Sequence, residues 1–198
     1  MEHLQVQSFG YSELYEWAEI PSVVLGKFVT FSKNNPNKIV LFGKNANDIC
    51  LGITTINSTI DSNNPLEWPG KYKKDQYGDY ILTKERLAVG TKVYDENAEL
   101  SFIRTYPWEH LIQIENEDYD NTQTYVPRIG RNEWVRVNLL GQCVVSDNGE
   151  CKPGEYCTPY VGKTKSKQGI AVPATDNSIH KFYVLERLTQ DTILILNK

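Results

Sequence analysis

The 198-residue chain is 40% hydrophobic and 23% charged, the composition of a globular domain rather than of a disordered segment. Its 21 Lys and Arg against 25 Asp and Glu leave a net charge of −4. With no basic excess to release counterions from a phosphate backbone, nucleic acid is excluded as a general partner. No apolar run reaches the roughly 20 residues of a membrane-spanning helix, and the N-terminus lacks the basic and apolar stretches of a secretory signal. A soluble protein, or a soluble piece of one, with no membrane partner is expected.

The first informative stretch is "SFGYSELYEW" (8–17), which gathers Tyr11, Glu13, Tyr15, Glu16 and Trp17 where chains are usually frayed and polar. Two conformations fit it. In a strand, Glu13 and Glu16 are an odd number apart and point to opposite faces. In a short helix over 12–18 with Ser12 as N-cap, the i, i+3 spacing puts both carboxylates on one face, with Trp17 beside Glu13. A carboxylate packed against an indole and phenols loses water, and its pKa rises toward the range of a general acid or base. The same residues also read as aromatic core anchors flanked by solvated glutamates.

Further along, "VVLGKFVTF" (23–31), "KIVLFG" (38–43), "ICLGITTI" (49–56) and "DYILT" (79–83) are runs of strand length, β-branched and aromatic, each closed by Asn, Gly or Pro. The style repeats in "LAVGTKVYD" (87–95), "AELSFI" (98–103), "EWVRVNLLGQCVVS" (133–146), "GIAVP" (169–173), "KFYVLERL" (181–188) and "TILIL" (192–196). Residues 107–113 are a second short helix candidate. The Asn-Gly of "SDNGE" predicts a hairpin turn after Val145, because Asn-Gly readily takes positive φ. Two long loops, 57–78 with Trp68 and Tyr72 and 114–134, carry aromatic anchors of the kind that make loops functional. No linker announces a second core, and no internal repeat occurs. The expected fold is mainly β: a single compact domain of many short strands, with one or two short helices and long aromatic-anchored loops.

Common chemistries find no support. "YVGKTKS" (160–166) lacks the first glycine of a phosphate-binding loop, and there is no dinucleotide fingerprint. His3, His110 and His180 have no nucleophile motif to serve. Cys50, Cys143, Cys151 and Cys157 are too scattered for a disulfide framework, and the five residues inside "CKPGEYC" are too many for a zinc knuckle, so reduced thiols half buried in strands are expected. Glu115, Glu117, Asp118 and Asp120 lack the spacing of a calcium loop and read as a solvated acidic loop. Neither a metal nor another cofactor is expected.

"GYSELYEWAE" at 10–19, "GKFVTF" (26–31), "CLGITT" (50–55), "WPGKYKKDQYGD" (68–79), "YVPRIGRNEWVRVNLLGQCVV" (125–145), "GEYC" (154–157), "GIAV" (169–172) and "YVLERL" (183–188) together resemble the autoproteolytic intramolecular-chaperone domain found at the C-termini of phage tail appendage and tailspike proteins. The resemblance runs from residue 8 almost to the end, and 125–145 is its most distinctive part. It implies a domain that brings three copies of a β-helical spike together and then severs itself, through carboxylates, at a bond just upstream of its Tyr-Ala-Glu motif. Glu13 and Glu16 fall on the motif's glutamates. The bond implied is Ser8–Phe9, with Gln7–Ser8 fitting almost equally. Residues 1–8 would then be an upstream stub, and 9–198 the domain.

One glutamate would activate water or the Ser8 hydroxyl, and a protonated partner would donate to the leaving amine. Arg128 and Arg131 would anchor a carboxylate or oxyanion, or else fork onto the acidic 115–120 loop. The implied partners are two further copies in a homotrimer and an upstream spike or appendage polypeptide. The implied place is the virion, or the host cytoplasm during assembly. Two positions depart from the pattern: Gly10 stands at the family's aspartate, and Ser12 at the alanine of Tyr-Ala-Glu. They leave open an alternative, a non-enzymatic virion structural or assembly protein with the same fold.

Overall fold

The structure, a computed structural model, describes residues 10–94, 96–97, 99–103 and 107–197. They are mainly β. In chain order the strands are β1 (Gly10–Trp17), β2 (Phe28–Phe31), β3 (Lys38–Leu41), β4 (Gly52–Thr55), β5 (Ile60–Ser62), β6 (Leu82–Leu87), β7 (Lys92–Tyr94), β8 (Leu100–Ile103), β9 (Trp108–Gln113), β10 (Trp134–Ser146), β11 (Tyr156–Pro159), β12 (Ala171–Pro173), β13 (Phe182–Arg187) and β14 (Thr192–Asn197). Arg128–Gly130 and Lys165–Lys167 form single 3₁₀ turns. The described residues group into two compact units, 10–64 with 126–197, and Pro65–Tyr125.

The larger unit is one ten-stranded sheet in the order β12-β11-β13-β14-β10-β4-β2-β3-β1-β5, with β10 also paired to β1. That extra pairing closes β10, β4, β2, β3 and β1 into a barrel-like ring. β10 can serve as the hub because it is 13 residues long and alternates: Val135, Val137, Cys143 and Val145 are buried. Its first half pairs with β1 on one edge and β4 on the other, and its second half with β14. Ring residues Trp17, Val29, Ile39, Val135 and Val137 pack into one apolar cluster. A second cluster, with Phe28, Phe42, Ile53, Val145, Val184, Ile193 and Ile195, continues under β13 and β14. All four cysteines are free thiols, Cys143, Cys151 and Cys157 buried and Cys50 partly so. Burial pushes Cys50 and Cys143 up to about 12, so both stay protonated and inert.

Both helix candidates are strands. Residues 12–18 fall largely in β1, which is hydrogen-bonded on both edges, by β10 on one and by β3 and β5 on the other. Those ladder bonds outweigh the local preference of Ser12 for a cap. Residues 107–113 fall in β9, paired along its whole length with β6. The "SDNGE" turn is not a hairpin. Gly149 does take positive φ (86°), but β10 before it and β11 after it do not pair. The turn is tied elsewhere. Asp147, its side chain fully buried, takes a two-pronged bond from Arg187 (3.2 and 2.7 Å) and another from the Cys151 N–H at 3.2 Å. Arg187 also donates to the Cys151 carbonyl.

The smaller unit holds two antiparallel ribbons, β6–β9 and β7–β8. Its long loops are anchored by rings. Trp68 packs edge-on to Tyr119 (centroids 6.4 Å) and against Tyr125 (6.1 Å), while the Lys71 ammonium lies over the Tyr72 and Tyr119 rings. Lys73 pairs with Glu117 of the acidic loop at 2.8 Å.

Candidate functional site: a carboxylate clamped on the first strand

Because β1 is a strand, side chains two apart share a face. Tyr11, Glu13 and Tyr15 therefore stand in a row, and both phenols turn toward the carboxylate between them. Tyr11 donates to Glu13 Oε1 at 2.5 Å, and Tyr15 to Oε2 at 2.8 Å. Ser62, the register partner of Glu13 on the parallel strand β5, bonds the Tyr11 hydroxyl at 2.8 Å. These hydroxyls, Tyr11 first and then Tyr15, hold the Glu13 carboxyl below its ordinary value, with Ser62 adding to them against a smaller effect of burial. The sequence pattern pointed instead to a carboxylate raised by its aromatic neighbours. The rings act here through their hydroxyls rather than their faces. Burial, then Glu13, pushes the Tyr15 phenol up, so it remains a donor.

Glu16 lies on the other face and pairs with Lys38, its register neighbour on β3. The two glutamates therefore do not meet, and the single-face arrangement of the helical reading does not occur. Ser12 is fully buried, and its hydroxyl has no hydrogen-bond partner among the described residues. The candidate scissile residues Ser8 and Phe9 lie outside the described residues.

The first described carbonyl beyond them, that of Gly10, is gripped by the Ser58 hydroxyl (2.9 Å) and the Thr59 N–H (3.1 Å). Gly10 itself sits where a β-bulge brings β10 close. A Cβ there would overlap the Leu140 carbonyl oxygen and lie 2.6 Å from Asn138 Nδ2.

Arg128 donates to the carbonyl of Asn63 at 3.0 Å and to its side-chain oxygen, and stacks 4.3 Å over the Trp134 ring. Its partner is thus an amide rather than a carboxylate. Arg131 Nε donates to the Val126 carbonyl at 2.8 Å, bracing its own turn. Among the described residues no group of three His, Cys, Asp or Glu is placed to hold a metal ion.

The residues that sequence reasoning passed over are Ser58, Ser62 and Asn63. Tyr11 and Tyr15 were noted only as rings. The available signal was the Tyr-x-Glu-x-Tyr spacing, which fits a strand and not a helix, and the dense polar run "NSTIDSNN" (57–64) inside the long loop.

The larger unit is thus a barrel-like β sheet that carries a hydroxyl-clamped carboxylate on its first described strand. Residues 4–192 match the family described as Peptidase_G2, IMC autoproteolytic cleavage domain, and the chain belongs to that family. It is 29% identical over 164 residues to the putative phage-related protein YobO of Bacillus subtilis (strain 168), covering 81% of this chain and 18% of that one. It is 25% identical over 145 residues to the preneck appendage protein of Bacillus phage PZA, covering 73% and 14%. The chain thus spans less than a fifth of the length of these relatives.

Two solved structures share its fold. One is the pre-mature bacteriophage phi29 gene product 12 (TM-score 0.68, 21% identity, 97% of this chain and 22% of that one). The other is the C-terminal fragment of the same gene product (TM-score 0.64, 23% identity, 95% and 99%).

Proposed function

We propose that this chain is the assembly-promoting, self-cleaving end of a longer phage appendage or spike polypeptide. In this reading three copies associate, and each severs the bond beside Ser8 with Glu13 as the working carboxylate. The setting would be virus assembly, in the host cytoplasm or on the virion. The observation that carries the reading is the clamp on Glu13. A carboxylate held ionised by two phenols is oriented and competent to receive a proton, and it belongs to the strand that begins immediately after the proposed bond. A bond tethered so near its catalyst has a high effective molarity, so a weak base suffices for one turnover. Water would add to the scissile carbonyl as its proton passes to Glu13, and the same proton would return to the leaving amine. In the alternative route the Ser8 hydroxyl would add to the Gln7 carbonyl, the Ser8 nitrogen would leave with that proton, and a water would then hydrolyse the ester that remains. Glu16, spent on Lys38, has a pairing role between β1 and β3, and Arg128 and Arg131 shape the loop.

One observation favours a second reading, a non-enzymatic assembly domain. The site leaves no room for a side chain at Gly10, where the family's motif has an aspartate. Intact mass of the protein expressed behind an upstream segment separates the two. Loss of everything ahead of residue 8 or 9, absent in Glu13→Gln, supports self-cleavage. Full mass in both, with trimers in sedimentation, leaves assembly alone, and monomers would count against both readings.

A further inference from the structure

We propose that Asn148 is a self-modification site, where the chain attacks its own side-chain amide and converts it to a carboxylate with loss of ammonia. Asn148 lies on the turn after β10, and its chemistry is independent of Glu13. Residues 148–149 are the chain's one Asn-Gly pair. They do not make the hairpin that such a pair usually makes, since β10 and β11 do not pair. Both residues, and Glu150 after them, are exposed. Gly149 takes φ 86°, and it has no side chain to stand between its nitrogen and the carboxamide before it. Among the described residues its N–H donates to no hydrogen bond. The nucleophile is therefore in water, unshielded and unpaired.

The carboxamide is held for attack. Its Oδ1 accepts the Glu150 N–H at 3.2 Å, and its Nδ2 donates to Glu150 Oε2 at 2.6 Å. The Asn148 N–H is tied to the Ala171 carbonyl at 3.1 Å, which fixes the backbone from which the side chain projects. A backbone N–H on Oδ1 draws electrons from the amide carbon and meets the charge that grows on that oxygen as the nitrogen adds. Every other asparagine of the chain is followed by a residue with a side chain, which crowds the same attack.

The chemistry balances with water as the co-reactant. The Gly149 nitrogen bonds to Asn148 Cγ, the Cγ–Nδ2 bond breaks, and the Gly149 proton leaves on Nδ2 as ammonia. Water then opens the cyclic imide at either carbonyl, giving aspartate or the isomer whose main chain runs through the side-chain carbon. Either product sets a carboxylate against that of Glu150 where a hydrogen bond stood, and the like charges repel. The isomer also lengthens the main chain inside the 147–151 span that the Asp147 carboxylate closes on the Cys151 N–H. Modification at Asn148 therefore loosens the turn that Arg187 ties to β13.

The test is peptide mass mapping and ion exchange of the folded chain, incubated at mildly acid and mildly alkaline pH beside a copy unfolded in urea. The expected result is a gain equal to the amide-to-acid mass difference at Asn148 before any other asparagine, with one added negative charge. Its rate should rise in proportion to hydroxide, because the attacking nitrogen must lose its proton. Asn148→Gln, whose longer side chain would have to close a larger ring, should keep its mass and charge at that position. Asn148→Asp, which installs the product charge without the attack, should lower the melting temperature. Glu150→Gln in the same chain should recover most of that loss, since the two carboxylates act on each other. Conversion at Asn148 in urea with none in the folded chain would show that the Glu150 bonds protect the amide, and would overturn the proposal. A first gain at another asparagine of the folded chain would overturn it as well.

Discussion

The Tyr11 hydroxyl and the Glu13 carboxylate, two residues apart on one face of β1, are joined at 2.5 Å, and Tyr15 closes on the same carboxylate from the other side. The arrangement follows from the two-residue period of a strand, and it makes the ionised form of Glu13 part of the folded structure. Its pH signature has a definite sign. Glu13 lies below the ordinary carboxylate value of 4.5, so the stability it adds is complete above that pH and is lost as pH falls through the lower folded value. Tyr11→Phe and Tyr15→Phe should each raise the Glu13 value, read by NMR titration of its carboxylate. Each should destabilise by about 1 kcal/mol near pH 7, and the deficit relative to wild type should shrink on acidification toward pH 3. A deficit independent of pH would show that the phenols act by packing alone.

Ser12 gives a prediction of opposite direction. Its hydroxyl is buried and without a partner among the described residues, a desolvation cost that an apolar side chain of similar size avoids. Ser12→Ala is expected to stabilise by about 1 kcal/mol in denaturant titration while leaving the Glu13 titration unchanged. Destabilisation would mean that the hydroxyl is satisfied in the folded protein.

How far the fold was legible depended on whether a strand carried its own apolar signal. "EWVRVNLLGQCVVS" and "TILIL" alternate over a buried face and read directly as β10 and β14. β5 was illegible because "IDS" buries little and is held by Arg136 and Asn63, partners remote in sequence. β9 read as a helix because six residues without Gly or internal Pro fit either period until a partner strand decides. In the candidate site, Glu13 was singled out through a motif, but its clamp by the Tyr11 and Tyr15 hydroxyls was not read from it. Ser62 was not, since nothing local says that β5 runs parallel to β1 in the register that sets them side by side. Arg128 was expected to anchor a carboxylate or oxyanion, or to fork onto the acidic 115–120 loop; it holds Asn63 instead, and an asparagine in the left-handed region is a property of the folded chain.

The turn after β10 offers a stability test far from Glu13. Burial pushes the Asp147 carboxyl up, but the Arg187 fork and the Cys151 N–H overcome it, and the group ends below its ordinary value. Asp147→Asn keeps the size but leaves Arg187 without its counter-charge, at a cost of roughly 3 kcal/mol or more. Calorimetry should show the loss at pH 7 and a smaller one at acid pH, where wild-type Asp147 is itself protonated. A cost that does not vary with pH would assign the effect to packing of the turn.

Gly10 is where the chain's departure from its family pattern and its backbone geometry meet. The bulge at Tyr11 and Ser12 sets Gly10 opposite Gly141 and brings the Leu140 carbonyl and the Asn138 amide against its Cα. Asn138 cannot give way easily: it is fully buried, donates to the Leu140 carbonyl at 3.3 Å and accepts a bond from Asn197 on its own carbonyl at 3.0 Å. Gly10→Asp, which installs the family's residue, must therefore open the β1–β10 pairing at its start. It should cost on the order of 1–3 kcal/mol, as overpacking does. Gly10→Ala should cost nearly as much, because the overlap begins at Cβ. Melting temperatures of the two variants check this. Were Gly10→Asp to fold as well as wild type and cleave faster, the bulge would be plastic, and the missing carboxylate rather than the backbone would be what limits this domain. If both variants lose stability together and neither cleaves faster, the glycine is required by the approach of β10.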